Sequence, residues 1–197
     1  MKTFFFFGDS LTLGVNDKGM LGWTGRFAST LDVPVPPTTF YNLGVRKHSS
    51  HAVIERWKDE VDRRALPESD VRIMFSFGVV DMATPEGKPI IPLQQSVKNL
   101  EALIQEATST YPIDSIRVLS PFPVAQAEHR GRIEELHFAY AAVCRKYGVG
   151  YVDVFTSLAG DENYMGDLQD GVHPAEKGCE VIAGYLSNDP SIPDWIA

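Results

Sequence analysis

Cysteine is scarce: Cys144 and Cys179 are the only two in 197 residues. They form no Cys-x-x-Cys pair and fall within helix-like patterns, so they read as reduced, structural thiols rather than a disulfide framework. Long hydrophobic runs are missing as well. A single Lys2 precedes only four phenylalanines, too short a core for a secretory signal, and no stretch reaches the length of a membrane span. The chain therefore reads as soluble and intracellular, a cytoplasmic protein. Positive charge is also in short supply, with 18 Lys and Arg against 26 Asp and Glu and a net charge of −8. No segment gathers Lys and Arg into a phosphate-binding surface, which speaks against a nucleic-acid partner. No Gly-x-Gly-x-x-Gly or Walker-type loop is present, so no nucleotide cofactor is expected. Internal repeats, low-complexity tracts and linkers are lacking too; the Pro-rich stretch from Val33 to Pro37 is long enough only to stiffen a turn. With 44% hydrophobic residues, the length suits one well-cored domain over residues 1–197.

What is present is an alternation of short apolar runs with helix-length segments. The strand candidates are Thr3–Phe7, Thr39–Asn42, Val71–Phe77, Ile116–Ser120 and Gly150–Phe155, each bounded by Gly, Pro, Asp or Asn. Apolar residues at Leu93, Val97, Leu100, Ile104, Ala107 and Tyr111 step by three and four between Pro92 and Pro112, the pattern of an amphipathic helix. A second such pattern runs from Ile133 to Tyr147 and stops at Gly148. Shorter helices are expected at Trp23–Leu31, Ser50–Arg64 and Ala175–Leu186. Alternation of this kind predicts an α/β fold, a parallel sheet covered on both faces in a three-layer α/β/α sandwich. Two loops, Pro121–Gly131 and Thr156–Val172, leave the carboxyl edge of that sheet, where ligands bind in open α/β folds.

The first strand candidate, Phe4-Phe5-Phe6-Phe7, has nothing polar in it and runs straight into Gly8-Asp9-Ser10, as a strand buried on both faces does when it ends in a tight turn. Ser10 then lies just past the carboxyl end of the strand. One reading makes Asp9 and Ser10 helix caps; the other makes Ser10 a nucleophile, which needs a base within reach and a group to orient that base. Of the five histidines, His137 reads as a surface or half-buried packing residue and His129 as exposed in a Glu-His-Arg run. His48 and His51 have a spacing that suits a metal on a helix but lack a third ligand, so no metal is expected there. His173 stands in Asp170-Gly171-Val172-His173-Pro174, ahead of the last helix. A carboxylate three residues before an imidazole in one tight turn can reach Nδ1 and leave Nε2 facing outward; the same residues also suit a plain turn and helix cap.

Four segments in order, Gly8-Asp9-Ser10-Leu11, Asn42-Leu43-Gly44-Val45, Gly78-Val79-Val80-Asp81 and Asp170-x-x-His173-Pro174, resemble the SGNH, or GDSL, hydrolase family over nearly the whole chain. The resemblance implies a flavodoxin-like fold with a five-stranded parallel sheet and a cofactor-free esterase acting on a small-molecule ester substrate. It further implies Ser10 as nucleophile, His173 as general base and Asp170 as the residue that orients it. An oxyanion hole is implied at the backbone N–H groups of Ser10 and Gly44 and at a third position. Asp9 and Asp81 become structural under the resemblance, bonding loop backbone. Two carboxylates could otherwise hold a divalent metal for phosphoester chemistry, but no further acid cluster is in register with them.

That third position departs from the family. Gly-x-Asn-Asp reads Gly78-Val79-Val80-Asp81 here, and Val80 cannot donate a hydrogen bond. Loss of one oxyanion donor costs about 10²–10³ in rate where it has been measured. Three explanations follow: an enzyme with a reduced hole, a donor moved in from the Pro121–Gly131 loop or from Asn42, Arg46 or Ser76, or a catalytically silent relative that binds a small acyl or sugar ligand. Interdependence of Ser10, Asp170 and His173 favours an active enzyme. Phe122, Pro123 and Val124 suit an apolar wall near an acyl group and suit core packing equally well.

Overall fold

Side chains on the first strand sort the layers. In the computed structural model, which describes residues 1–197, strand β1 (Lys2–Gly8) pairs with β2 (Thr39–Gly44) on one side and β3 (Asp70–Ser76) on the other. The four phenylalanines of β1 are buried to within 1%, and alternation along a strand sends them to opposite faces. Phe6 meets Trp23 and Phe27 of helix α2 (Gly22–Thr30), and with Phe4 it packs on Trp195 of the C-terminal segment. Phe7 faces the other way and stacks on Phe75, which in turn meets Trp57 of helix α3 (Ser50–Asp62). One aromatic run thereby nails a helical layer to each face of the sheet.

The remaining strands, β4 (Ile116–Leu119) and β5 (Gly150–Val152), complete a five-stranded, all-parallel sheet in the order β2-β1-β3-β4-β5. Chain order reverses across β1, with β2 to one side and β3 to the other, so loops diverge above its carboxyl end and open a crevice there. Helices α4 (Leu93–Thr110) and α5 (Ala127–Tyr147) pack with α3 on one face, while α2 packs against a later helix, α8 (Glu176–Ser187), on the other. The three-layer α/β expectation and all five strands are observed.

Several boundaries differ. Helix α5 begins at Ala127, six residues before the apolar period starts at Ile133, so it absorbs the end of the segment read as the Pro121–Gly131 loop. Its first turns face the carboxyl edge of the sheet rather than the core, and such turns carry no apolar stripe. The last strand is shorter than Gly150–Phe155, because Phe155 opens a short helix, α6 (Phe155–Ala159), followed by α7 (Glu162–Met165) inside the second long loop. A final turn, α9 (Ile192–Ile196), carries Trp195. Cys144 and Cys179 are free and buried, in α5 and α8. No helix is long and apolar enough to cross a membrane.

Candidate active site

Close packing forces glycine at the end of β1. A Cβ on Gly8 would lie 2.0 Å from Thr12 Oγ1 and 2.2 Å from the Ser76 carbonyl oxygen, so the strand can pass only as bare backbone. Helix α1 (Ser10–Leu13) follows at once, with Asp9 as its cap: Oδ1 accepts the Leu11 N–H at 2.8 Å. The two readings of this turn therefore divide between neighbours. Asp9 caps the helix, and Ser10, first in the helix and 8% exposed, turns its Oγ to His173.

The imidazole arrives from the far end of the chain on a tight turn closed by an antiparallel bridge between Leu168 and Pro174. Asp170 Oδ1 accepts the N–H groups of Val172 and His173 at 3.0 and 2.8 Å, and Gly171 is left-handed at φ 81°. That folding places Asp170 Oδ2 2.8 Å from His173 Nδ1, while His173 Nε2 lies 2.7 Å from Ser10 Oγ. A carboxylate can only accept, so Nδ1 carries the proton and Nε2 is free to accept from the serine hydroxyl. Partial burial pushes the Asp170 carboxyl up, but the N–H groups of His173 and Val172 and the imidazole itself outweigh it and hold the group well below the usual carboxylate range. Gly171 O also accepts the Ala125 N–H, tying the turn to the loop after β4.

A cavity of about 630 Å³ opens beside Ser10 and His173. Its apolar wall includes Val79, Val80, Ala83, Ile90 and Val172; Lys47, Gln126 and His129 are among its polar members. Phe122 and Val124 do not line it and are fully buried, Phe122 against Trp23, so core packing accounts for them.

Gly44 is not brought to this cavity. Val45 N–H bonds Gly8 O across to β1, and alternate N–H groups of a strand point opposite ways, so the Gly44 N–H points out of the sheet edge. There it donates to Asn42 Oδ1 at 3.0 Å. Glycine is needed at 44 for another reason: a Cβ would lie 2.1 Å from the Leu13 nitrogen. Lys47 and Ser49, which follow β2, do line the cavity; Lys47 is left-handed at φ 65°, and its N–H has no acceptor in the protein. Nothing in the residue type announced it, since lysine seldom adopts that conformation.

Of the substitute donors, Asn42 Nδ2 is committed to Thr12 O and Thr24 Oγ1, and neither Arg46 nor Ser76 lines the cavity. The segment after β4 does contribute Gln126 and His129. His129, expected to be exposed, is 8% exposed because the early start of α5 turns it inward, where it sits 2.9 Å from Val79 O. His137 is buried against Tyr151 and Phe155. His48 Nδ1 accepts from Arg56 Nε at 3.1 Å, and His51 pairs with Glu55.

Asp9 and Asp81 support the loops. Asp81, wholly buried, accepts the Ser50 N–H at 2.8 Å and the Ser96 hydroxyl, while Ser96 is bonded to Tyr140. One carboxylate thereby ties α3, α4 and α5 beneath the cavity. Burial pushes the Asp81 carboxyl up against the pull of Ser50 and Ser96, and burial together with the Asp81 charge pushes Asp9 up to about 7, against the Leu11 and Thr12 N–H groups.

Residues 6–181 match the model of the GDSL-like lipase/acylhydrolase family. Among curated proteins, the chain is similar to the isoamyl acetate-hydrolyzing esterase 1 homolog of Homo sapiens, 23% identical over 91% of this chain and 77% of that one. Among solved structures, a lipase/acylhydrolase from Enterococcus faecalis superposes with a TM-score of 0.76 at 20% identity, over 98% of this chain and 97% of that one. A catalytic mutant of an acetylxylan esterase from Geobacillus stearothermophilus gives 0.74 at 16% identity, over 100% and 94%.

Proposed function

The chain belongs to the GDSL-like lipase/acylhydrolase family and is a hydrolase of the esterase class, and from that premise we propose that it cleaves short-chain acyl or acetyl-sugar esters through an acyl-serine at Ser10. The observation that carries this reading is the continuous chain Ser10 Oγ, His173, Asp170, with links of 2.7 and 2.8 Å. Ser10 Oγ attacks the ester carbonyl while His173 Nε2 takes its proton. Asp170 holds the Nδ1–H and stabilises the imidazolium that forms. The proton then passes to the leaving alcohol, and the same imidazole activates the water that releases the acid.

Negative charge on the carbonyl oxygen needs donors. The Ser10 N–H is an unpaired donor in the first turn of α1. The N–H of Lys47, an unpaired donor on a residue of the cavity wall, is assigned the role that the resemblance implies for Gly44. Val80 adds no donor, so the hole is a weakened one unless the Gln126 amide turns toward it. The names of the similar proteins, for isoamyl acetate and for acetylxylan, support acetyl esters as the first substrates to assay. Val80 is also the one observation on the side of a catalytically silent relative holding an acyl or sugar ligand.

Hydrolysis of 4-nitrophenyl acetate and butyrate by the wild type and Ser10→Ala, with labelling by a serine-directed phosphonate, separates the two. Turnover lost in Ser10→Ala and label on Ser10 are expected. A wild type that matches Ser10→Ala and takes no label would mean a binding protein.

A further inference from the structure

His129 is the one imidazole in the cavity wall apart from His173, and the esterase chemistry above does not use it. Its hydrogen bonding determines its tautomer. The Val79 carbonyl, 2.9 Å from Nε2, can only accept, so Nε2 must carry the proton. In a neutral ring that leaves Nδ1 as a bare acceptor. Burial lowers the pKa of this imidazole, the Arg132 charge lowers it further, and the Val79 bond opposes both more weakly than burial acts. Nδ1 has no hydrogen-bond partner in the protein and is not among the fully enclosed polar atoms left unpaired. The residue is otherwise buried and forms part of the cavity wall, so the cavity is the open space beside that lone pair.

The wall around it is otherwise largely apolar, with Val79, Val80, Ala83 and Ile90. An acceptor set in such a surface discriminates by what it is left facing. A substrate hydroxyl satisfies it, whereas a methylene strips it of water and leaves it unpaired. Sites built to bond a substrate hydroxyl reject the analogue that lacks one far more strongly than an apolar pocket rejects an extra methylene. We propose that His129 is a specificity-determining residue whose Nδ1 accepts a hydrogen bond from a hydroxyl on the substrate, so that the preferred substrates are hydroxyl-bearing esters. This rests on the hydrolase reading above and adds the class of ester. The hydroxyl has two sources, the acyl group or the alcohol.

Two matched pairs distinguish them: 4-nitrophenyl 3-hydroxybutyrate against the butyrate for the acyl side, and 2-hydroxyethyl acetate against propyl acetate for the alcohol side, the latter followed by acid release. The readout is the ratio of kcat/KM within a pair for the wild type and His129→Phe. The wild type is expected to favour the hydroxylated member of one pair by about 10- to 100-fold, and His129→Phe to bring that ratio near one. Loss of the Val79 bond in the variant lowers both members together and leaves the ratio alone, so a structural defect does not imitate the result. Ratios near one in both pairs, with the plain esters turned over, overturn the proposal but not the hydrolase reading. A preference that survives in His129→Phe overturns it too. Failure of the wild type to exceed Ser10→Ala on all four esters removes the hydrolase reading and this one with it. The wild-type ratios need no variant, and His129→Met stands in should His129→Phe not fold.

Discussion

Asp9 offers a test of the site's electrostatics that does not depend on knowing the substrate. The residue is 2% exposed, and burial, with a contribution from Asp81, pushes its carboxyl from 3.8 up to about 7 despite the Leu11 and Thr12 N–H groups. The folded protein therefore binds this proton more tightly than the unfolded chain does. Between about pH 4 and 7 the unfolded state has lost the proton while the native state retains it, so stability falls as pH rises through that window and levels off above it. About three pH units at about 1.4 kcal/mol each put the ceiling near 4 kcal/mol. Asp9→Asn removes the titration and keeps an oxygen to accept the Leu11 N–H. Asp81 titrates in the same sense and Asp170 in the opposite one, so the quantity to read is the difference between variant and wild type, which cancels both to first order. Urea unfolding at half-unit steps from pH 4.5 to 8 should show Asp9→Asn gaining on the wild type with rising pH, by about 2–4 kcal/mol across the window. A difference that stays flat would refute the buried-carboxyl argument.

Asp170→Asn leaves an acceptor for the turn's N–H groups but can present an N–H to His173 Nδ1, favouring the wrong tautomer; kcat on 4-nitrophenyl acetate should fall by about 10³–10⁴. Val80→Asn puts a donor at the position where the family carries one, and kcat should rise by at least about tenfold, toward the 10² that a single donor supplies; an unchanged rate means that Gln126 or another group already serves there. Gly8→Ala drives a methyl into Thr12 and the Ser76 carbonyl, so thermal unfolding should show a loss of about 3 kcal/mol or more, or no folded protein at all.

Local rules carried the reading furthest where residue type alone decides. Four phenylalanines in a row suit a strand covered on both sides and little else, and that strand is observed at the centre of the crevice. The Leu93–Tyr111 period and its flanking prolines located α4 within one residue at each end. Asp170-x-x-His173 is local too: four residues of one turn suffice to bring a carboxylate to an imidazole. The start of α5 was hidden because its first turns carry Glu128, His129, Arg130 and Arg132 in place of an apolar stripe, and periodicity is blind to a helix face that looks into a cavity. The charges flanking His129 point to solvent for the same reason, whereas the residue turns inward and is buried.

The sequence by itself determined the alternation of strands and helices, the resemblance that led to the family, and the small set of residues that suit the roles of nucleophile, base and orienter. These depend on side-chain volume, apolar spacing and turn chemistry within a few residues. Only the tertiary structure decided that residues 163 positions apart meet at 2.7 Å, that the Gly44 N–H leaves by the sheet edge, and that Lys47 and His129 face the cavity instead. The reason is geometric. Whether a given N–H or ring nitrogen is free depends on which strand lies alongside and which helix packs across, and those neighbours come from distant parts of the chain.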